Sequence, residues 1–208
     1  MLKFLVYLVL ALAFSSTHAG AYEDFQRALI RNDAPALRQL LQRGVDPNSR
    51  DEQGQVALYA ALRAEAFDVA EVLLAHPQLD VDAANAAGET PMMIASLRGL
   101  TPWQAKLAAR GAKVHHEGWS PVLYAASSPE PKAVLWLLER GAPANARSPN
   151  GTTPLMMAAG YGAEASVDLL LARGADPRAR NDRELTAADF ARRAGRDKLA
   201  DRLQQLAR

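Results

Sequence analysis

The side chains that most often bind zinc, cysteine and histidine, are scarce in this chain, which has four histidines. His115, His116 and Glu117 form the one cluster with the imidazole and carboxylate donors that zinc prefers. Adjacent side chains point to opposite sides of an extended segment, however, and the sequence shows no third, preorganised ligand. We therefore predict that this cluster holds no metal.

Nucleophilic chemistry has equally little support. Ser127 and Ser128 lie in no context that would activate a hydroxyl, and the chain has no cysteine. The sequence also lacks a Gly-x-Ser-x-Gly elbow, a phosphate-binding loop and a His-Glu-x-x-His helix. We predict a protein that is not an enzyme and that uses no cofactor.

A helical pattern positions the remaining polar residues, and its clearest copy begins at Thr153. The Thr153 side chain suits the N-cap of a helix, and Pro154 suits the first helical position, where its missing donor costs nothing. Gly160 and Gly162 interrupt this first helix, and a second apolar helix follows. Gly174 then ends the second helix, because glycine readily adopts the left-handed conformation. The pattern predicts two short helices joined by a turn.

Weaker copies of the pattern begin at Val56, Thr90, Ser120 and Thr186. Together with the copy at Thr153, they are spaced about 33 residues apart, and this repeat length and its turn-plus-two-helices pattern resemble the ankyrin-repeat family. The resemblance implies an all-α fold, an ankyrin-repeat solenoid of about six stacked helix-turn-helix units with short β-hairpin fingers. Polar residues on the first and last helices lead us to expect that both ends are capped. The expected units are residues 22–50, 51–84, 85–114, 115–147, 148–180 and 181–208.

The chain departs from the family pattern in two places. The connection from Gly111 to Ser120 is shorter than the others, which predicts a blunted finger. The family usually has histidine after Thr-Pro-Leu, where this chain has Tyr59, Met93, Leu123, Met156 and Asp189. We expect these turns to be held more by apolar stacking than by hydrogen bonds. We also expect the methionines to pack in the core rather than to sense oxidants.

Residues 1–21 have the pattern of a secretory signal peptide. Lys3 precedes eleven apolar residues, Phe4 to Phe14, and small residues then lead to Ala19 and Ala21. This run is much shorter than the roughly 20 residues that cross a bilayer, which favours cleavage after Ala19 or Ala21 over a permanent anchor. The alanine- and arginine-rich composition is compatible with a Gram-negative periplasm, although full secretion stays open.

Net charge restricts the class of partner. Lys3 is the one charged residue of the leader, so the 24 lysines and arginines become 23 after cleavage and equal the 23 acidic residues. A neutral chain lacks the basic excess of a nucleic-acid-binding protein. We expect a monomer with a protein partner, no nucleic acid and no stable membrane insertion after cleavage.

The resemblance implies that partners bind at the finger tips and on the concave face of the first helices. Trp119, beside His116 and Glu117 on the shortened finger, suits an interface anchor, or it fills the gap left by the shortening. A series of arginines on the same face suits an acidic partner, or it is an ordinary solvated surface. The partner-binding candidates are Arg31, Arg63, Arg98, His116, Glu117, Trp119, Ser127, Ser128, Arg147, Asn150, Tyr161, Arg180 and Arg193.

Two hypotheses of function follow. The first is a periplasmic module that binds a protein as an adaptor, inhibitor or assembly factor. The second is an accessory protein in oxidative-stress defence, associated with catalase or with haem or metal, which depends on analogy with exported bacterial ankyrin proteins alone. Exposed methionines or haem binding would favour the second hypothesis.

Overall fold

The computed structural model describes residues 20–208, so the predicted signal peptide lies outside the described residues except for Gly20 and Ala21. The chain divides into two compact units, one that ends at Ala86 and one that spans Ala87–Arg208. None of the helices in the described residues is long and apolar enough to cross a membrane.

The first unit contains two helix pairs. Its helices are α1 (20–30), α2 (Ala34–Gln42), α3 (Ala57–Arg63) and α4 (Phe67–Leu74). Phe25, Leu37 and Leu73 are fully buried in this unit. Asn32 adopts a positive φ of 51° between the first two helices. Its side-chain oxygen accepts a hydrogen bond from the Val69 amide at 3.1 Å, which ties the two pairs together.

The second unit contains four helix pairs. Its helices are α5 (Pro91–Leu97), α6 (Thr101–Ala109), α7 (Pro121–Ala126), α8 (Pro131–Leu138), α9 (Pro154–Tyr161), α10 (Glu164–Ala172), α11 (Ala187–Arg193) and α12 (Asp197–Leu206). The first helices of successive pairs pack on one another in the order α5, α7, α9, α11. Met92, Leu123 and Leu155 are fully buried.

The predicted helix starts are confirmed. Val56, Thr90, Ser120, Thr153 and Thr186 are the N-caps of the first helices of their pairs. The three threonine hydroxyls accept hydrogen bonds from the amides three residues further on, at 3.3 to 3.4 Å. Ser120 makes no such bond, and its buried hydroxyl has no hydrogen-bond partner.

Three of the turns combine apolar packing with side-chain hydrogen bonds at the helix start. Met93 and Met156 are fully buried, as predicted for core residues. Each sulfur also accepts a hydrogen bond from the backbone amide of its threonine N-cap, at 3.4 Å in both cases. Asp189 does the same more strongly, because its carboxylate accepts from the Thr186 amide at 2.8 Å. In these three repeats the side chain in the usual histidine position closes a reciprocal cap, whereas the helix starts at Val56 and Ser120 have no side-chain cap.

The fingers in the described residues are turns with little strand character. One isolated antiparallel bridge joins Arg50 and Val56, and no longer strand pairing is present in residues 20–208. Neighbouring loops are joined by asparagine side chains instead. In the second unit, Asn145 donates to the Gly174 carbonyl and accepts from the Asp176 amide, both at 2.8 Å.

Candidate functional site

A groove in the second unit collects several of the candidate residues. Its cavity volume is about 500 Å³, within the range typical of sites that accommodate ligand-sized groups. Trp119, Asn150, Tyr161 and Arg193 from the sequence-based set all line it. The remaining lining residues are Thr152, Met157, Gly160, Asn181, Arg183, Leu185, Phe190 and Ala194. We call this surface the second-unit groove.

Aromatic side chains form exposed parts of the second-unit groove. Tyr161, the last residue of α9, is 67% exposed, and Trp119, just before α7, is 39% exposed. The Trp119 ring packs edge-on against Tyr124, with a centroid distance of 6.1 Å and an interplanar angle of 70°. Tyr124 is held in turn by a 2.9 Å hydrogen bond to Glu89. One side of the Trp119 ring is therefore packed against the protein, and part of the ring stays accessible to solvent.

The first helices supply the apolar part of the second-unit groove. Met157 on α9 and Phe190 on α11 are half-buried and occupy the same position in successive repeats. Gly160 lets the two helices pack closely, because a Cβ at that residue would lie 3.3 Å from the Phe190 Cδ1 atom. Larger residues at Gly160 would therefore press against Phe190 and reduce the room in the groove.

The finger turns supply the polar part of the groove. The Asn150 side-chain oxygen accepts from the Ser148 hydroxyl at 2.5 Å, and the Asn150 carbonyl accepts from the Asp182 amide at 3.1 Å. Asn181 is buried, and its side-chain oxygen accepts from the amides of Arg183 and Leu185 at 3.0 and 3.1 Å. Both asparagines therefore fix turn geometry, which holds the neighbouring side chains in place.

Two arginines of the second-unit groove are unpaired. In the part of the chain that the structure describes, the exposed Arg183 and Arg193 side chains form no ion pair and donate no hydrogen bond. Arg192, the neighbour of Arg193, differs: its guanidinium lies 3.7 Å from Asp201 and donates to Gln204 at 3.1 Å. The groove lining therefore carries two guanidinium groups that form no ion pair with residues 20–208.

Arg147 and Arg180 hold the finger bases together. The Arg147 guanidinium donates to the Arg180 carbonyl at 2.6 Å, and the Arg180 guanidinium donates to the Glu184 carbonyl at 2.7 Å. Arg50 does the same in the first unit, where it donates to the Ala84 carbonyl at 2.8 Å. The guanidinium groups of Arg147 and Arg180, both predicted to bind a partner, therefore already donate hydrogen bonds to backbone carbonyls of the protein.

Ser128 does not belong to an exposed surface, contrary to the sequence-based interpretation. It is fully buried, and its hydroxyl accepts from the Glu130 amide at 3.1 Å. The physical reason is that α7 ends at Ala126, so Ser128 lies in the turn that leads to α8. Ser127 is half-buried, and its hydroxyl donates to the Leu123 carbonyl at 3.2 Å.

His116 and Glu117 lie on the short finger before Trp119. Glu117 is exposed, whereas His116 is half-buried with its Nδ1 atom 3.3 Å from the Glu117 carbonyl oxygen. The His116 Nε2 atom is buried without a hydrogen-bond partner. Among residues 20–208, no group of three or more His, Cys, Asp or Glu side chains is placed to hold a metal ion.

The other candidate arginines are exposed but lie outside the second-unit groove. Arg31 lines a separate surface depression of about 720 Å³ in the first unit, beside Ile30, which is 83% exposed. Arg63, in the same unit, ends α3. Arg98, in the second unit, is the C-cap of α5.

Two charged groups near the C-terminal repeat have shifted pKa values. Hydrogen bonds from the Thr186 side chain and backbone hold the pKa of Asp189 below its ordinary value of 3.8. A hydrogen bond to Asp168 raises the pKa of Arg202, and nearby Glu164, at 3.5 Å, adds to the effect. These contacts join α12 to α10 and close the Thr186 cap, so they stabilise the helices that carry the groove.

Met157 is half-buried and lines the groove, which corrects the expectation that all the methionines pack in the core. Phe190 was not among the sequence-based candidates. Alignment of the repeat copies could have indicated both, because they follow the usual histidine position directly in two successive repeats. Arg183 lies at the same position of its repeat as the predicted candidate Asn150, on a finger where the resemblance implies partner contacts.

Comparisons with known proteins decide the family. A family model described as ankyrin repeats (3 copies) matches residues 25–114 and 104–181. The chain belongs to the ankyrin-repeat family. The predicted all-α ankyrin solenoid is confirmed, and ankyrin repeats are modules of protein-protein interaction.

Curated relatives share the ankyrin repeats over part of their length. The nuclear factor NF-kappa-B p105 subunit of Gallus gallus is 37% identical over 92 residues, which cover 44% of this chain and 9% of that protein. Neurogenic locus notch homolog protein 2 of Homo sapiens is 33% identical over 112 residues, which cover 52% of this chain and 4% of that protein. The present chain therefore spans less than a tenth of the length of each of these relatives.

Two solved structures match a larger share of this protein. One is a chain from the complex of Bd0816 predatory endopeptidase from Bdellovibrio bacteriovorus with immunity protein Bd3460. It has a TM-score of 0.73 and 26% identity, and the match covers 88% of this chain and 97% of that chain. The ankyrin repeat domain of Bcl-3 has a TM-score of 0.65 and 27% identity, with 86% and 79% covered.

Proposed function

We propose that this ankyrin protein is an exported, non-catalytic module that binds a protein partner through the second-unit groove. The observation that carries the proposal is the juxtaposition of exposed Trp119 and Tyr161 with unpaired Arg193 around one groove. Tryptophan, tyrosine and arginine are the side chains that most often dominate the affinity of protein interfaces.

The location proposed for this function is the periplasm. The apolar run after Lys3 and the small residues up to Ala21 support export and cleavage. Osmotic-shock fractionation of the native host, followed by N-terminal sequencing of the released protein, tests this part. We expect the mature chain to begin at Gly20 or Tyr22, and an intact N-terminus in the cytosolic fraction would contradict it.

One structural neighbour supports a partner that is itself a folded protein. That neighbour comes from an endopeptidase in complex with an immunity protein, and the match covers nearly all of the compared chain. By analogy, we propose that the partner of this protein is an exported protein whose activity or assembly is controlled by binding. The oxidative-stress alternative has less support, because Met92, Met93 and Met156 are fully buried and Met157 is half-buried.

Cross-linking in intact cells tests the binding function. A photoreactive amino acid at Tyr161 is expected to capture a specific protein on irradiation, because this position lies in the groove and is 67% exposed. The same amino acid at Lys132 is the control, because Lys132 is exposed on α8 and does not line the groove. The proposal is wrong if Tyr161 captures nothing beyond what Lys132 captures.

A further inference from the structure

The second-unit groove combines an apolar floor with charge of one sign. Its lining residues include two arginines and no aspartate or glutamate. Arg183 projects from the last finger, and Arg193 ends α11, so the two charges come from different elements. Some other arginines of the second unit form ion pairs within the protein; Arg202, for example, is paired with Asp168 and Glu164.

We infer that the occupant of the second-unit groove is a partner segment in which a large apolar side chain is flanked by carboxylates. The inference rests on the proposed function and names the chemistry of the partner. An apolar side chain fits in the cavity of about 500 Å³ beside Met157, Leu185 and Phe190. The carboxylates fit Arg183 and Arg193, because a guanidinium binds a carboxylate through two parallel hydrogen bonds.

The position of Trp119 and Tyr161 strengthens the charge argument. Aromatic rings at a groove exclude water when a partner binds, and a charge pair is stronger where water is excluded. A basic segment would instead be repelled by two arginines that have no acidic neighbour within the groove lining. Electrostatic complementarity therefore selects acidic over basic segments.

A peptide selection tests this chemistry separately from the proposed function. The probe is a random dodecapeptide library displayed on phage and selected on the immobilised mature protein. The test variant is R183E/R193E. The control is K132E/R208E, which has the same net charge and changes two exposed residues that do not line the groove. All three proteins must show the same far-UV circular dichroism and thermal unfolding before selection.

The wild-type protein and the control are expected to enrich peptides with aspartate or glutamate next to one aromatic or aliphatic residue. R183E/R193E is expected to lose these peptides and to enrich lysine and arginine instead. The selected acidic peptides should bind R183E/R193E at least about tenfold more weakly than they bind the wild type, with the difference reduced at high salt.

Two outcomes would overturn the inference. One is an absence of acidic enrichment on the wild-type protein, including a selection that enriches nothing. The other is the same enriched peptides on wild type and R183E/R193E. Specific capture at Tyr161 together with either outcome would leave the groove as the binding surface and refute only its acidic preference.

Discussion

Gly162, the C-cap of α9, should not tolerate one additional methyl group. A Cβ at Gly162 would lie 2.0 Å from the Ala126 carbonyl oxygen and 3.1 Å from the Ala126 carbonyl carbon. These atoms are backbone at the end of α7, so they cannot rotate away as a side chain can. The φ of Gly162 is −94°, which alanine adopts freely, so the penalty of Gly162→Ala is steric.

The magnitude follows from the separation that this contact requires. Non-bonded heavy atoms are most stable at about 3.5 Å, so the α7 and α9 backbones would have to move apart by about 1 Å or more. Overpacking of this kind costs about 1–3 kcal/mol, and we take the upper end because backbone is the obstacle. Alanine also lowers the conformational entropy of the unfolded chain, which stabilises the folded state by about 0.5–1 kcal/mol. The expected net loss in free energy of unfolding is about 2 kcal/mol.

Urea unfolding followed by far-UV circular dichroism measures this loss. Gly174→Ala is the matched control, because Gly174 has open space around its Cβ position but a φ of +79°. Its penalty is therefore conformational and should be about 1 kcal/mol. If Gly162→Ala unfolds at the same or higher urea concentration than Gly174→Ala, the close approach of α7 and α9 is wrong.

Three further predictions concern the helices around the second-unit groove. Arg196→Met should destabilise the protein by about 2 kcal/mol in the same urea assay, because the Arg196 guanidinium donates to three carbonyls at the end of α9, each at 3.0 Å. Arg193→Met should leave stability nearly unchanged, and equal losses in the two variants would contradict the contacts described. The lowered pKa of Asp189 means that its charged form stabilises the fold above about pH 3.8, and that this stabilisation is lost as pH falls through the lower folded pKa. Asp189→Asn should therefore be less stable than wild type at neutral pH and approach it in acid, whereas a constant difference from neutral to acid pH would refute the linkage. Hydrogen peroxide should oxidise half-buried Met157 before buried Met156, as measured by peptide mass spectrometry, and the reverse order would contradict their placement.

Local rules explain why the fold could be predicted from the sequence. Thr153 and Pro154 favour a helix start through hydrogen bonding and a fixed φ, without any tertiary contact. Gly174 has a φ of +79° in the structure, as expected for a glycine that ends a helix. The regular repetition of these signals along the chain then determines the family, because such a unit buries its apolar face only by stacking.

The residues that line the groove could not be predicted from the sequence in the same way, because their exposure depends on contacts between repeats. Arg147 looked like a surface cation, but its guanidinium binds the Arg180 carbonyl at the base of the next finger. Ser128 occupies the position in its repeat that exposed Tyr161 occupies in the next, yet the early end of α7 buries it. The periodicity of the sequence predicts neither the hydrogen bond of Arg147 nor the burial of Ser128, because both depend on the path of a neighbouring turn.

The central claim is that the second-unit groove binds a protein partner. The most direct test is isothermal titration of the purified partner, identified by cross-linking at Tyr161, into wild type and a W119A/Y161A variant. We predict an affinity at least about 30-fold weaker for the variant, since removal of an interface anchor costs about 2 kcal/mol or more. The variant should stay folded in the urea assay, with a small loss of stability where Trp119 packs against Tyr124. Unchanged affinity in a folded variant would contradict the claim.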